Sequence, residues 1–158
     1  ANVAQDWNAA VATWAGADWV IGEVYVAAVE EPIPVMPDLK MPMRYEFSAA
    51  ERVPCTETEQ RRACVRLEMY SEPDSAALRR FVGDIMTRVG APEKDILKSL
   101  ENMRTEGTVT VIADPKTLLP YQVTRVKRVE VRTSESGQEK GGVSSRVDTR
   151  TAWYSYSR

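Results

Sequence analysis

The chain has 158 residues, a formal net charge of −2, two cysteines and no histidine. This length suits a single domain, residues 1–158, with a core large enough to fold without a metal. The weak net charge gives no argument for nucleic acid as a partner, and no apolar run is long enough for a transmembrane segment. The missing imidazole excludes Ser-His and Cys-His catalysis.

The two cysteines, Cys55 and Cys64, predict one disulfide that closes a short loop between two strands. Disulfides persist in oxidising compartments, so the pair predicts a periplasmic or extracellular protein whose signal peptide has been removed before Ala1. The alternative is two unpaired, buried thiols in a cytosolic protein. A zinc site is not expected, because two cysteines without histidine would need two carboxylates to complete a tetrahedron.

The first predicted element is a helix over residues 3–15, because apolar residues recur on one helical face and Gly16 ends the pattern. Residues 19–29 are rich in β-branched and aromatic types and predict a largely buried strand. Residues 44–49 and 65–70 alternate between apolar and polar types. They predict a hairpin that the disulfide joins near its turn.

A helical hairpin is predicted next. Pro73 opens an apolar stripe of helical spacing that Gly90 ends, and Pro92 opens a second stripe that ends before Gly107. Each proline suits a first helical turn, since its missing amide hydrogen has no acceptor there. The two stripes therefore predict two consecutive helices.

Residues 108–112, 121–132 and 143–156 predict three antiparallel strands, the first two joined by a turn at Asp114 and Pro115. In sum the sequence predicts an α+β fold. A curved antiparallel sheet of five to seven strands packs against the N-terminal helix and the central helical hairpin.

This order of elements resembles the half-barrel of bacterial periplasmic lipoprotein-carrier-like proteins, which enclose a hydrophobic cavity for acyl chains. The resemblance implies a similar cavity between the sheet and the helices. It rests on element order and matches no family motif, so it implies no functional residue.

Residues 30–43 hold four of the nine prolines and three of the six methionines. They predict a stiff loop that cannot join a central strand. Its apolar side chains cover the domain's own core, form a lid over a hydrophobic pocket, or dock a partner. The candidate contacts to a ligand or partner are Met36, Leu39, Met41 and Met43, together with Trp19 and Tyr45.

Strict alternation over residues 121–132 places Arg125 and Lys127 in an otherwise apolar row on one strand face. At a pocket mouth these two cations would bind an anionic head group, with Glu130 or Asp148 as the competing partner. The alternative is a bulge, or an exposed face on which both cations are solvated.

Charge is distributed unevenly along the chain. Residues 1–60 contain three basic and ten acidic residues, whereas residues 121–158 contain eight basic and four acidic ones. The pattern predicts acidic and basic faces that meet within one fold or are solvated, or else a basic functional face.

These observations predict a non-enzymatic, exported bacterial envelope protein that binds a hydrophobic small molecule or lipid, with no cofactor and no metal. The first alternative is an interaction module that docks another envelope protein through residues 30–43. The second is a carboxylate-dependent hydrolase, because the two acids of such an enzyme need not be close in sequence.

Overall fold

The computed structural model describes residues 14–16, 18–33, 36–56, 63–75, 77, 80, 81, 83, 86, 90, 103–133 and 142–156. Strands make up 73% of these residues. The strands are β1 (Val24–Ile33), β2 (Met36–Pro54), β3 (Ala63–Pro73), β4 (Met103–Ala113), β5 (Pro120–Thr133) and β6 (Gly142–Trp153).

The six strands form one antiparallel sheet in which each strand pairs with the next one along the chain. The antiparallel sheet predicted from the alternating segments is thus confirmed. Because the order is sequential, β1 and β6 lie at the two edges of this sheet.

One face of the sheet carries the core and is called the inner face here. Phe47 of β2, Leu67 of β3, Val111 of β4 and Val123 of β5 are buried on it. Their neighbours along each strand point to the opposite, outer face, because side chains alternate across a strand. Trp14, which precedes the sheet, packs its ring edge-on against Phe47 with the ring centroids 5.6 Å apart.

The turn between β4 and β5 is held by Asp114, as the sequence predicts. The Asp114 carboxylate accepts hydrogen bonds from the backbone amides of Lys116 and Thr117, each at 3.0 Å. The Leu118 amide donates to the Asp114 carbonyl oxygen at 2.9 Å. A short polar side chain that binds amides two and three residues on is typical of such turns.

Cys55 and Cys64 form the predicted disulfide. Cys55 directly follows β2, and Cys64 is the second residue of β3, where it pairs with Val53. Both cysteines are buried. The bond therefore fastens the end of β2 to the beginning of β3.

The predicted α+β class is wrong, because the described part of the chain contains no complete helix and is almost entirely antiparallel sheet. Residues 3–13 of the predicted N-terminal helix lie outside the described residues. Trp14 and Ala15 form a turn with Gly16, which has a φ of 82°.

The predicted helical hairpin lies largely outside the described residues. Of the described residues within 74–90, Arg80, Phe81, Gly83 and Met86 have helical backbone conformation. The predicted second helix ends in residues that instead begin β4, since Thr105 pairs with Val129 of β5. Long-range strand pairing has overridden a local helical pattern there.

The predicted loop over residues 30–43 is also wrong: β1 extends to Ile33 and β2 begins at Met36. The prolines fit a strand because Met36 and the residues from Lys40 to Pro42 pair with β1, Pro37 lies at a register shift between them, and pairing with β3 begins at Met43. Proline has no amide hydrogen to donate to a neighbouring strand. Where a strand has a neighbour on one side only, the proline nitrogen can face the unpaired side, and no hydrogen bond between strands is lost.

The N-terminal strand begins later than predicted and is not buried. It starts at Val24 rather than at residue 19, and Gly22 before it lies in a turn with a φ of 89°. Val24 and Val26 are 61% and 58% exposed on the outer face. The β-branched residues thus mark an edge strand rather than a central one.

The outer face of the central strands carries a charged network. Arg44 Nη1 lies 3.3 Å from Glu72 Oε1 and links β2 to β3, and Arg128 Nη1 lies 3.1 Å from Glu106 Oε1 and links β5 to β4. The Tyr70 hydroxyl lies 3.1 Å from Glu72 and 3.0 Å from Glu106, so its hydrogen is shared between the two carboxylates. The network therefore spans four strands.

Candidate functional site

The inner face contains a row of residues in which small side chains lie between large ones. Tyr45 pairs with Ser71, Ser71 with Gly107, Gly107 with Lys127, and Lys127 with Asp148. Ser71 and Gly107 leave a depression in the middle of the sheet, with the longer Tyr45 and Lys127 on either side. A Cβ atom on Gly107 would lie only 2.8 Å from Ser71 Oγ, so the Ser71 side chain occupies the space that a larger residue at position 107 would need.

A cleft of about 390 Å³ lies over this depression. It is large enough for a small molecule with an apolar body. Inner-face residues of all six strands line it: Glu31, Met43, Tyr45, Ser71, Thr105, Gly107, Val109, Arg125, Lys127, Asp148 and Arg150.

The wall formed by β5 and β6 is cationic. Arg125 pairs directly with Arg150, and Lys127 with Asp148. Like charges that face each other across a strand pair repel and raise the local positive potential. Asp148 is held by Arg146 on its own strand, with Nε–Oδ2 and Nη2–Oδ1 distances of 3.1 and 3.2 Å. The residues of β5 and β6 that line the cleft therefore comprise three basic side chains, Arg125, Lys127 and Arg150, and one acidic side chain, Asp148.

The alternation predicted for β5 is present from Gln122 onward, and the register shift against β4 lies before it, between Ile112 and Ala113 opposite Tyr121. Register is continuous from Gln122 to Thr133 against β6, so Arg125 and Lys127 share the inner face with Val123. Glu130, one predicted competitor for these cations, lies on the outer face by the same alternation. Asp148, the other, is the cross-strand neighbour of Lys127.

The opposite wall, formed by β1 and β2, carries a carboxylate held by a tyrosine. The Tyr45 hydroxyl donates a hydrogen bond to the Glu31 carboxylate. Burial and this carboxylate raise the pKa of Tyr45, so its hydroxyl stays protonated and continues to donate. The Tyr45 ring stacks on Phe47 with centroids 5.9 Å apart, which anchors the tyrosine to the core.

The tyrosine and the glutamate are far apart in register. Tyr45 pairs with Ala27, four residues before Glu31 on β1, a separation of roughly 13 Å along the strand. The Tyr45 and Glu31 side chains are hydrogen-bonded, so they extend towards each other along the strand direction. Together they form the β1–β2 side of the cleft.

The structure brings together four of the predicted contact residues: Met43, Tyr45, Arg125 and Lys127 line the same cleft. By the alternation of β2, Leu39 and Met41 share their face, beyond the described lining, and Leu39 is buried. The side chain of Met36 lies outside the described residues.

Trp19 is in a different place, a second cavity of about 690 Å³ at the other end of the inner face. This cavity lies between the segment before β1, the disulfide end of β3 and the β4–β5 turn. Trp19 donates a hydrogen bond from Nε1 to the Trp14 carbonyl oxygen at 2.9 Å and packs on the core. Its contacts there account for its position.

Sequence reasoning missed Glu31, Gly107 and Arg150 as cleft residues. Arg150 could have been predicted from the sequence, because Arg146, Asp148 and Arg150 alternate along β6 and therefore share one face. The positions of Glu31 and Gly107 depend on strand register, which has no local sequence signal.

No family model, curated protein or solved structure matches this chain. The site is therefore interpreted from its own geometry. Among the described residues there is no group of three or more cysteine and carboxylate side chains placed to hold a metal ion. The same part of the chain has no helix long and apolar enough to cross a membrane.

Proposed function

We propose that this protein binds an amphipathic anion in the cleft of the inner face. The observation that carries the proposal is the division of one cleft into an apolar floor and a cationic wall. Met43 and Val109 offer apolar surface, and Arg125, Lys127 and Arg150 offer positive charge. A carboxylate or phosphate at this wall would form charge-assisted hydrogen bonds while its apolar chain lies over the floor.

The proposed ligand belongs to the hydrophobic or lipid-like class that the sequence predicts. We propose that the protein binds this ligand without converting it chemically. We propose a periplasmic or extracellular location, which the disulfide supports because such bonds persist in oxidising compartments. The resemblance to periplasmic lipoprotein carriers stays a prediction.

The two alternative functions also stay predictions. Docking through residues 30–43 has less support than the cleft, because this segment is paired strand and Leu39 within it is buried. For a carboxylate-dependent hydrolase, Glu31 and Asp148 both line the cleft, but Asp148 is already held by Arg146.

Isothermal titration calorimetry with decanoate and 1-decanol tests the proposal. The two probes have equal chain lengths and differ in charge. We expect decanoate to bind at least about tenfold more tightly, and added salt to reduce this difference.

Two variants of β5 locate the anion. Arg125→Gln should weaken decanoate binding about tenfold, since a hydrogen bond to a charged group contributes about 1.5–3 kcal/mol. Arg132→Gln is the matched control, because Arg132 is an exposed arginine on the outer face of the same strand. Equal binding of both probes, no binding of decanoate, or equal losses in the two variants would each refute the proposal.

A further inference from the structure

We propose that the ligand also carries a cationic group, which Glu31 and Tyr45 recognise, so that the cleft takes a zwitterion with its charges at opposite ends of an apolar spacer. This inference rests on the proposed function, since it assigns the second end of the same ligand. In this proposal the cleft binds a ligand that is charged at both ends, rather than one with a charged head group and an apolar tail.

The two ends of the cleft have opposite charge because they come from opposite edges of the sheet. Glu31 lies on β1, and the cations lie on β5 and β6, four and five strands away in the sheet order. Four strand spacings correspond to roughly 19 Å along the sheet surface. Both ends nevertheless line one cleft.

The surface between these ends is apolar or small. Met43, Gly107 and Val109 line the cleft between the glutamate and the cations, together with Ser71 and Thr105. The Ser71 hydroxyl already donates a hydrogen bond to the Gly107 carbonyl oxygen at 3.4 Å. A hydrocarbon spacer would bury apolar area against Met43 and Val109. The middle of the ligand is therefore inferred to be apolar.

The glutamate end suits an ammonium group. The Glu31 carboxylate has two oxygens with several acceptor positions, and the Tyr45 hydroxyl uses one of them. An ammonium group has three donors and can bind the remaining positions. The adjoining aromatic ring of Tyr45 adds attraction for a cation that approaches its face.

A matched pair of probes tests the inference: 10-aminodecanoate carries the same carboxylate and chain as decanoate, with an ammonium group at the far end. Glu31→Gln should weaken binding of 10-aminodecanoate about fivefold, in line with the loss of a partly exposed ion pair. Binding of decanoate should stay unchanged or become tighter, because the variant removes a negative charge from the cleft.

Glu30→Gln is the matched control variant. Glu30 is the preceding residue of the same strand and points to the outer face. It removes an equal charge from β1 without changing the cleft, so binding of both probes should stay at the wild-type level.

The outcomes separate this inference from the proposed function. If neither probe binds to the wild-type protein, the proposed function itself fails. If decanoate binds and Glu31→Gln weakens both probes equally, or neither, the anion site stands and the cation site is refuted. Equal effects of Glu30→Gln and Glu31→Gln would also refute it, because the effect would then be long-range electrostatics alone.

Discussion

Trp14 is the largest fully buried side chain among the described residues, although it comes from the segment before the sheet. It packs against Phe47 and Trp19 over the inner face. Trp14→Ala should lower the free energy of unfolding by about 3–5 kcal/mol, because it removes a large core side chain and leaves a cavity.

Trp153, which is 74% exposed on the edge strand β6, offers the matched control. Trp153→Ala should change the free energy of unfolding by no more than about 0.5 kcal/mol. Urea unfolding followed by circular dichroism measures both variants without relying on tryptophan fluorescence. Similar losses in the two variants would show that Trp14 does not anchor the core.

Tyr70 links stability to alkaline pH. Burial and its hydrogen bonds to Glu106 and Glu72 raise the pKa of Tyr70 to about 12. Since the ordinary value, about 10, applies to the unfolded chain, the contribution of Tyr70 is complete below pH 10 and is lost as pH rises towards 12. The stability advantage of the wild type over Tyr70→Phe should therefore shrink between about pH 8 and pH 11.

Urea unfolding at the two pH values measures this advantage. The same comparison in a Glu106→Gln background is the control, because one of the carboxylates that raise the pKa is then neutral. The pH dependence should be weaker in that background. An advantage that is equal at both pH values in the wild-type background would contradict the proposed role of the network.

At the level of the elements, the disulfide holds the β2–β3 hairpin at the end that carries the buried core. It closes a loop with a sequence separation of 9 residues. Replacing both cysteines with alanine should lower the free energy of unfolding by about 2–3 kcal/mol, the chain entropy of a loop of this size. The measurement is urea unfolding of the oxidised wild type and the double variant.

Reducing agent provides the control for the disulfide. It should destabilise the wild type by a similar amount and leave the double variant unchanged. Stability of the wild type that does not respond to complete reduction, confirmed by intact mass, would show that the bond adds nothing to the hairpin.

The strands differ in how far their sequences predict them. β5 was predictable because its sequence alternates from Tyr121 to Arg132, and the structure keeps a continuous register against β6 from Gln122 to Thr133. The stretch of β2 before Met43 was not predictable as a strand, because its prolines indicate a loop. They are compatible with a strand only because β3 does not pair with this stretch, which the sequence does not reveal. Local pattern thus predicts a strand but not its number of neighbours.

At the scale of the whole molecule, the sheet order turns a charge gradient along the chain into opposite walls of one cleft. The acidic first 60 residues supply Glu31, and the basic last 38 supply Arg150. The charge gradient was visible in the sequence. The cleft was not, because Glu31 and Arg125 reach the same cleft through four successive strand pairings.

A ligand that bridges the two walls should protect both edges of the sheet at once. Edge hairpins exchange amide hydrogens through local opening, so slower exchange there reports contact rather than global stability. We expect 10-aminodecanoate to slow exchange in residues 24–33 and in residues 142–153, measured by hydrogen–deuterium exchange and mass spectrometry. Decanoate, which lacks the ammonium group, should protect residues 142–153 but not residues 24–33.

The Glu31→Gln variant completes this experiment. With 10-aminodecanoate bound, it should keep the protection of residues 142–153 and lose that of residues 24–33, because only the carboxylate on β1 has changed. The β4–β5 turn around Asp114 lies outside the cleft and serves as an internal reference. Protection of one edge alone by 10-aminodecanoate in the wild type would mean that the ligand does not span the sheet, and the charge gradient would then have no role in binding.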